Sequence, residues 1–290
     1  MASVVDVMKR KTTIIANSHG IGDFLQCSMR YKYAQIEQLE PAKSYTPFVR
    51  GTVITNLLSY YYQSKLFGTY TPTTCLDAIS KFVDPEPNLS NEDKTLLTSR
   101  FLQYWKYYMN ETWKPLAVEQ NGREDHPDNK GTGFSKVLFE NDRLLFVYEG
   151  EPDLVLRTPS LVVDHKSQSR KSDLFTHSNQ FRGYSWATGI SDFGINYFGL
   201  QDGGDEKLWF RRQLITFQRS QIEQWKNDMI RVYFEILRVV VNKFYARSWQ
   251  CEGKYGVCSY FPLCRNSYLD FIEADIKKRE FKVKERKASW

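Results

Sequence analysis

The chain has 290 residues, 41% of them hydrophobic and 15% aromatic, enough for a sizeable core in one large domain or in a core with a helical elaboration. No apolar run approaches the roughly 18 residues that a membrane-spanning helix needs, and Met1–Lys9 lacks the apolar stretch of a secretion signal, so a cytoplasmic protein with no membrane partner is expected. The 40 basic residues against 34 acids give a net charge of +6, which permits nucleic-acid binding without requiring it, and five cysteines in such a compartment argue against a disulfide framework.

Residues 1–16 read as a strand-like or loose lead-in. Ser18–Tyr33 reads as a helix with Cys27 in its middle, and Pro41–Pro47 as a linker. Phe48-Val-Arg-Gly51 leads into a helix over Thr52–Tyr62, and a glycine at its start allows close backbone approach to a sheet. Residues 69–113 read as a helical insertion, in which Ala78–Val83 and Leu96–Trp113 have helix-like spacing and Ser90 followed by Asp93 suits an N-cap. Cys75 reads as a small buried hydrophobe. Pro115–Glu119 is a short strand, Gly122–Gly133 a polar loop, and Lys136–Glu140 with Leu144–Tyr148 a hairpin about Asn141-Asp142.

The segment Glu149–Lys166 carries the most chemistry. Leu154–Leu156 and Leu161–Val163 are apolar runs separated by Arg-Thr-Pro-Ser, which predicts two strands and a tight turn. Asp153 opens the first strand and Asp164-His165-Lys166 ends the second. Alternation puts Asp164 and Lys166 on one face and His165 on the other, and pairing of the strands brings Asp153 toward Asp164. Carboxylates so placed suit a hard divalent cation, and a surface hairpin with a salt bridge is the alternative for so short a motif. Charge on a strand of buried type is expensive unless it is paired or metal-bound, which favours the site.

Downstream, Gln180 and Tyr184 share a helix face. Ile195–Leu200 and Leu208–Phe217 read as strands about an Asp202–Asp205 turn, and Gln221–Ala246 as a long helix whose apolar stripe runs from Ile222 through Trp225, Met229 and Tyr233 to Val241. Cys251, Cys258 and Cys264 fall within fourteen residues, a clustering that suits an iron–sulfur centre or zinc. Ile272–Lys287 alternates acids and bases and reads as a solvated helix.

Gly-Glu-Pro-Asp153, a hydrophobic strand, Val-Val-Asp164-His-Lys166 and then Gln180-x-x-x-Tyr184 resemble the RecB-type branch of the PD-(D/E)XK nuclease superfamily. Cys258-Ser-Tyr-Phe-Pro-Leu-Cys264 resembles the C-terminal tail of its iron–sulfur members, including AddB and the CRISPR-adaptation exonucleases. The resemblance implies an α/β restriction-endonuclease-like core over 115–217, with a central mixed sheet flanked by helices and the helical insertion, in a single domain over 1–290. It implies that Asp153, Asp164, the backbone carbonyl of His165 and secondarily Glu119 bind Mg2+ or Mn2+, that Lys166 assists the attacking water, and that Gln180 and Tyr184 support the site. It further implies a [4Fe-4S] cluster on Cys27, Cys251, Cys258 and Cys264, with Zn2+ as the alternative, joining segments 17–45 and 247–268. The family pattern also has a metal-ligating histidine four residues after the helix glycine, where this chain has Thr55 after Gly51.

The function expected is metal-dependent hydrolysis of DNA, as an exonuclease on single-stranded or end-containing DNA. A catalytically weak DNA-binding or assembly protein and a structure-specific endonuclease are the rivals. Arg170, Lys171, Arg182, Arg211 and Arg212 are the candidate phosphate contacts. For Arg211 and Arg212 a solvated sheet edge is the competing reading. Protein partners from recombination, repair, replication or CRISPR-type systems are expected.

Overall fold

The structure, a computed structural model, describes residues 11–42, 46–119, 131–167, 173–200, 209–248, 251–253, 256–266 and 269–284. The chain forms two compact units, one of Met1–Lys43, Ser135–Glu149 and Glu223–Trp290, the other of Ser44–Phe134 and Gly150–Ile222. Among the described residues, no helix is long and apolar enough to cross a membrane.

In the first unit, β1 (Thr12–Asn17) leads into α1 (Ser18–Gln26), and Asn17 caps that helix by accepting the Gly20 N–H at 2.8 Å. The helix expected across Ser18–Tyr33 breaks at Cys27, whose backbone is extended (φ −168°, ψ 119°), before α2 (Ser28–Tyr31) and a π-helical turn, Lys32–Ile36. Side-chain bonding across the break explains it. The Asp23 carboxylate accepts from Arg30 Nε at 2.6 Å and Gln35 Nε2 at 2.8 Å, and the Ser248 N–H donates to Cys27 Sγ at 3.4 Å.

The expected linker begins instead with β2 (Leu39–Pro41). The hairpin strands β4 (Phe134–Glu140) and β5 (Leu144–Gly150) join β1 in a three-stranded sheet, β1 and β5 running parallel. α7 (Arg219–Asn242) buries only Trp225, Met229, Tyr233 and Ile236, and Val241 is 66% exposed, so its core stripe is narrower than its sequence pattern. After Cys251, β10 (Glu252–Gly253) pairs with β11 (Gly256–Val257), followed by α8 (Phe261–Asn266) and α9 (Asp270–Glu280). The tail is not a solvated helix throughout. Ile276 and Phe281 are buried, and β12 (Phe281–Val283) pairs antiparallel with β2, because burying these two apolar groups outweighs the polar content around them.

In the second unit, α3 (Thr46–Leu66) starts earlier than expected, with Pro47 in its first turn, where a missing N–H costs nothing. α4 (Pro72–Phe82) and α5 (Asn91–Tyr108) each begin with a reciprocal capping box, Thr71 with Thr74 and Ser90 with Asp93. A five-stranded mixed sheet runs in the order β3 (Lys114–Val118), β6 (Leu154–Thr158), β7 (Leu161–Lys166), β8 (Asp192–Phe198), β9 (Phe210–Thr216). Only the β7–β8 pair is parallel, bridged by α6 (Asn179–Thr188). The strands expected in one central sheet thus divide between this sheet and the three-stranded one; the extended chain of β5 ends at Gly150, ahead of Pro152, which has no N–H to continue a ladder.

Leu154, Leu156, Leu161 and Val163 turn to one face and pack with Leu57, Leu58, Tyr61 and Phe101 of α3 and α5. Val162, Phe193, Ile195 and Tyr197 turn to the other and pack with Phe181 and Tyr184 of α6. Each such fully buried aliphatic or aromatic side chain contributes roughly 1.5–3 kcal/mol relative to exposure. The first ten residues, positions 122–130 of the expected polar loop, the expected turn at 202–205 and residues 285–287 of the tail lie outside the described residues.

Candidate active site

The two strands that carry the acids pair antiparallel with Leu154 opposite Val163 and Leu156 opposite Leu161. One step further along this register Asp153 faces Asp164. Asp164 is 2% exposed, and its Oδ2 lies 2.7 Å from Lys166 Nζ. Asp153 Oδ2 accepts the backbone N–H of His165. The Asp153 carboxyl holds its proton well above the usual carboxylate range, first because the surrounding protein desolvates it, then because the charges of Asp164 and Glu119 oppose its ionisation. These acids and the lysine therefore meet at one strand end.

Local hydrogen bonds hold the approach to Asp153. Tyr184 OH donates to the Glu151 carbonyl at 3.1 Å and accepts from Gln180 Nε2 at 3.2 Å, so the helix-face pair grips the loop before the acid. Thr132 donates to the Pro152 carbonyl. Gly150 is required there, since a Cβ would sit 2.6 Å from the Tyr184 ring and 2.7 Å from that of Phe134. On the other side, the Glu119 N–H donates to the Asp153 carbonyl at 3.0 Å, and Gln63 Nε2 donates to the Glu119 carbonyl at 3.1 Å. Gln63, buried on α3, was not anticipated. Its only sequence signal is a glutamine within an otherwise apolar helix face.

His165 points to the opposite face, as alternation predicts. It stacks on Tyr62 with ring centroids 5.5 Å apart, and its Nδ1 accepts from the Asn196 amide at 3.1 Å. Burial, with the charges of Arg212 and Lys166, lowers it to about 3, so the imidazole is neutral at physiological pH. Gly51 of α3 approaches the end of β7, where a Cβ on this glycine would lie 3.6 Å from Ser167 Oγ. The Thr55 hydroxyl, where the family pattern has histidine, is taken up by the Gly51 carbonyl at 3.1 Å.

The candidate phosphate contacts separate. Arg170 and Lys171 lie outside the described residues. Arg182 bonds locally, its Nε to the Thr176 carbonyl at 3.0 Å. Arg212 is not a surface contact: its guanidinium pairs with Glu111, donates to Tyr62 OH at 3.1 Å, and lies 3.3 Å from the Trp113 ring centroid. The strand register turns it toward α3 and the segment that follows α5, where these partners lie. Arg211 turns to the face of Asp164 and Lys166.

In the first unit, Cys27, Cys251, Cys258 and Cys264 line one cavity together with Met29, Arg30, Tyr33, Tyr260 and Phe261. Cys27 is tied to the C-terminal segment through Ser248 and through its thiol, 3.8 Å from the Ala246 carbonyl. The Cys258 N–H donates to the Cys251 carbonyl at 2.7 Å. Burial raises the Cys264 thiol, as do the neighbouring three cysteines, while Arg247 lowers it. Among the described residues, no three His, Cys, Asp or Glu side chains close on a common point at the spacing of a single metal ion.

A mixed α/β fold that brings a buried carboxylate, a half-buried one and a lysine together at a strand end is the architecture of a nuclease class. The family follows from a match of residues 20–265 to the PD-(D/E)XK nuclease superfamily, and the chain belongs to that superfamily. No curated protein matches this chain. Among solved structures, a candidate exonuclease from Eubacterium rectale is 14% identical over 86% of this chain and 88% of its own, with a TM-score of 0.43. An alkaline exonuclease from Laribacter hongkongensis is 12% identical over 67% of this chain and 97% of its own, with a TM-score of 0.31. The protein SSO0001 is 11% identical over 80% and 87%, with a TM-score of 0.32. Likenesses this distant carry no weight here, and the assignment rests on the family match.

Proposed function

We propose that this nuclease hydrolyses DNA phosphodiester bonds with Mg2+ or Mn2+, as an exonuclease on single-stranded or end-containing DNA. The observation that carries the reading is the meeting of Asp153, Asp164 and Lys166 at the end of β6 and β7. A half-buried acid whose ionisation is opposed by desolvation and by two neighbouring carboxylates is chemically suited to a hard divalent cation, so the donor set fits. Asp153, Asp164 and the His165 carbonyl would hold the ion, with Glu119 as a further donor. Once bound, such an ion polarises a phosphoryl oxygen and lowers the pKa of a bound water. Lys166, already beside Asp164, orients the attacking water and offsets the charge that develops on the phosphate. Gln180 and Tyr184 keep the loop carrying Asp153 in place.

The four cysteines are the proposed holders of a [4Fe-4S] cluster with a structural role, with zinc as the alternative. The shared cavity supports it, as do its largely apolar walls and the two arginines, Arg30 and Arg247, which offset thiolate charge. The rival reading, a DNA-binding protein with little catalysis, draws on Thr55 in the histidine position.

The test compares Mn2+-dependent cleavage of linear and circular DNA by the wild type and Lys166→Ala. Linear-only cleavage that the variant lacks supports the proposal. Cleavage of covalently closed circles assigns an endonuclease instead, and DNA binding with no cleavage assigns the rival.

A further inference from the structure

One basic group on the active face has no role in the chemistry above. The register β7–β8–β9 sets Lys166 beside Tyr197 and Tyr197 beside Arg211, and alternation puts all three on the face of Asp164. Tyr197 is fully buried and its hydroxyl donates to Gln213 at 2.7 Å, which fixes the ring beside Arg211. The Arg211 guanidinium lies 6.0 Å from that ring.

The two adjacent arginines have opposite circumstances. Arg212 is engaged by Glu111, Tyr62 and Asn196. Arg211 Nε is buried and has no hydrogen-bond partner among the described residues. The Arg211 side chain is half-buried, and this guanidinium N–H, on the face of Asp164, has donor capacity that an anion can take up. Guanidinium is the group best matched to phosphate. Two strand spacings separate Arg211 from Lys166, about 10 Å at the backbone.

We propose that Arg211 holds a second phosphate of the DNA strand being cleaved, one or two linkages from the scissile one, and so sets which linkage reaches Asp153 and Asp164. The inference rests on the nuclease reading and adds a substrate-positioning residue to it.

The test is a scan of single-stranded oligonucleotides that carry one neutral methylphosphonate at successive linkages. It is read as kcat and KM for wild type, Arg211→Gln and Arg211→Lys. For wild type, one linkage should raise KM about tenfold when neutralised, the loss of one charge-assisted contact. Arg211→Gln should show that higher KM on ordinary DNA and no further loss at that linkage, with kcat within about twofold of wild type. Arg211→Lys keeps the charge, controls for folding, and should recover part of the effect. The same scan read as metal-free binding by fluorescence anisotropy should show the same single-linkage effect and a salt slope reduced by about one in Arg211→Gln.

If wild type and Arg211→Gln respond alike at every linkage, in cleavage and in binding, the proposal is overturned, as it is if the wild type does not bind single-stranded DNA. A wild type that binds with the Arg211-dependent linkage effect yet never cleaves overturns the nuclease reading and leaves this inference standing.

Discussion

The backbone N–H of His165 donates to the carboxylate of Asp153, so the residue between the second acid and the lysine holds the first acid in place. The bond crosses from β7 to the start of β6 and makes the spacing of the two carboxylates a property of strand pairing rather than of side-chain rotamers. Lys166 completes the group through its contact with Asp164 at 2.7 Å.

Lys166→Ala is expected to lower kcat by roughly 10²–10³-fold, the scale for removal of one preorganised electrostatic group, with the fold retained. Single-turnover cleavage with Mn2+ and far-ultraviolet circular dichroism check both halves. Activity near that of wild type would remove Lys166 from the chemistry.

Opposite pH trends should appear in metal-free protein. Asp153 binds its proton more tightly folded than unfolded, so its contribution to stability is present below pH 3.8 and is lost as pH rises through the raised folded value. His165 is lowered from 6.5 to about 3, so its contribution is present above 6.5 and is lost as pH falls toward 3, at about 1.4 kcal/mol per unit. Asp153→Asn should therefore be more stable than wild type at neutral pH in chelator, though inactive. Urea midpoints from pH 4 to 8 measure this, and parallel profiles for the two proteins would contradict it.

Arg212 and Glu111 form a buried pair, with side chains 19% and 5% exposed. Arg212→Leu leaves Glu111 with Lys65 alone and should cost about 3–5 kcal/mol, while Arg212→Leu combined with Glu111→Leu should cost less than the sum of the single changes. Chemical denaturation of the two single variants and the double variant gives the coupling. A loss under 1 kcal/mol for Arg212→Leu would return this residue to the surface.

Anaerobically purified protein should be brown from sulfur-to-iron charge transfer, and Cys27→Ser should bleach it and loosen the Ser248 segment. Metal analysis and limited proteolysis near residue 248 read the two effects. Zinc in place of iron selects the alternative, and protein with neither metal removes the cluster without touching Asp153, Asp164 and Lys166.

Much of the site was legible because strand alternation is local. Leu161–Lys166 states which residues share a face, and the turn between the apolar runs sets Asp153 opposite Asp164. Gln63 was not legible, because a buried glutamine declares its partner only when α3 meets the end of β3. Nor was the break at Cys27, where contacts from Asp23, Arg30, Gln35 and Ser248 override local helix preference.

Arg211 and Arg212 divide the two kinds of information most clearly. The sequence alone determines that two neighbouring arginines on a strand must face opposite ways, since the period is two. Which of them packs against Glu111 and Trp113, and which shares a face with Asp164 and Lys166, was decided by the tertiary structure. The register of β9 on β8 and the packing of α3 and α5 against one side of the sheet supply partners to Arg212 alone. The raised proton affinity of Asp153 has the same origin, because it comes from burial and from carboxylates that the sequence places 34 and 11 residues away and the fold brings together.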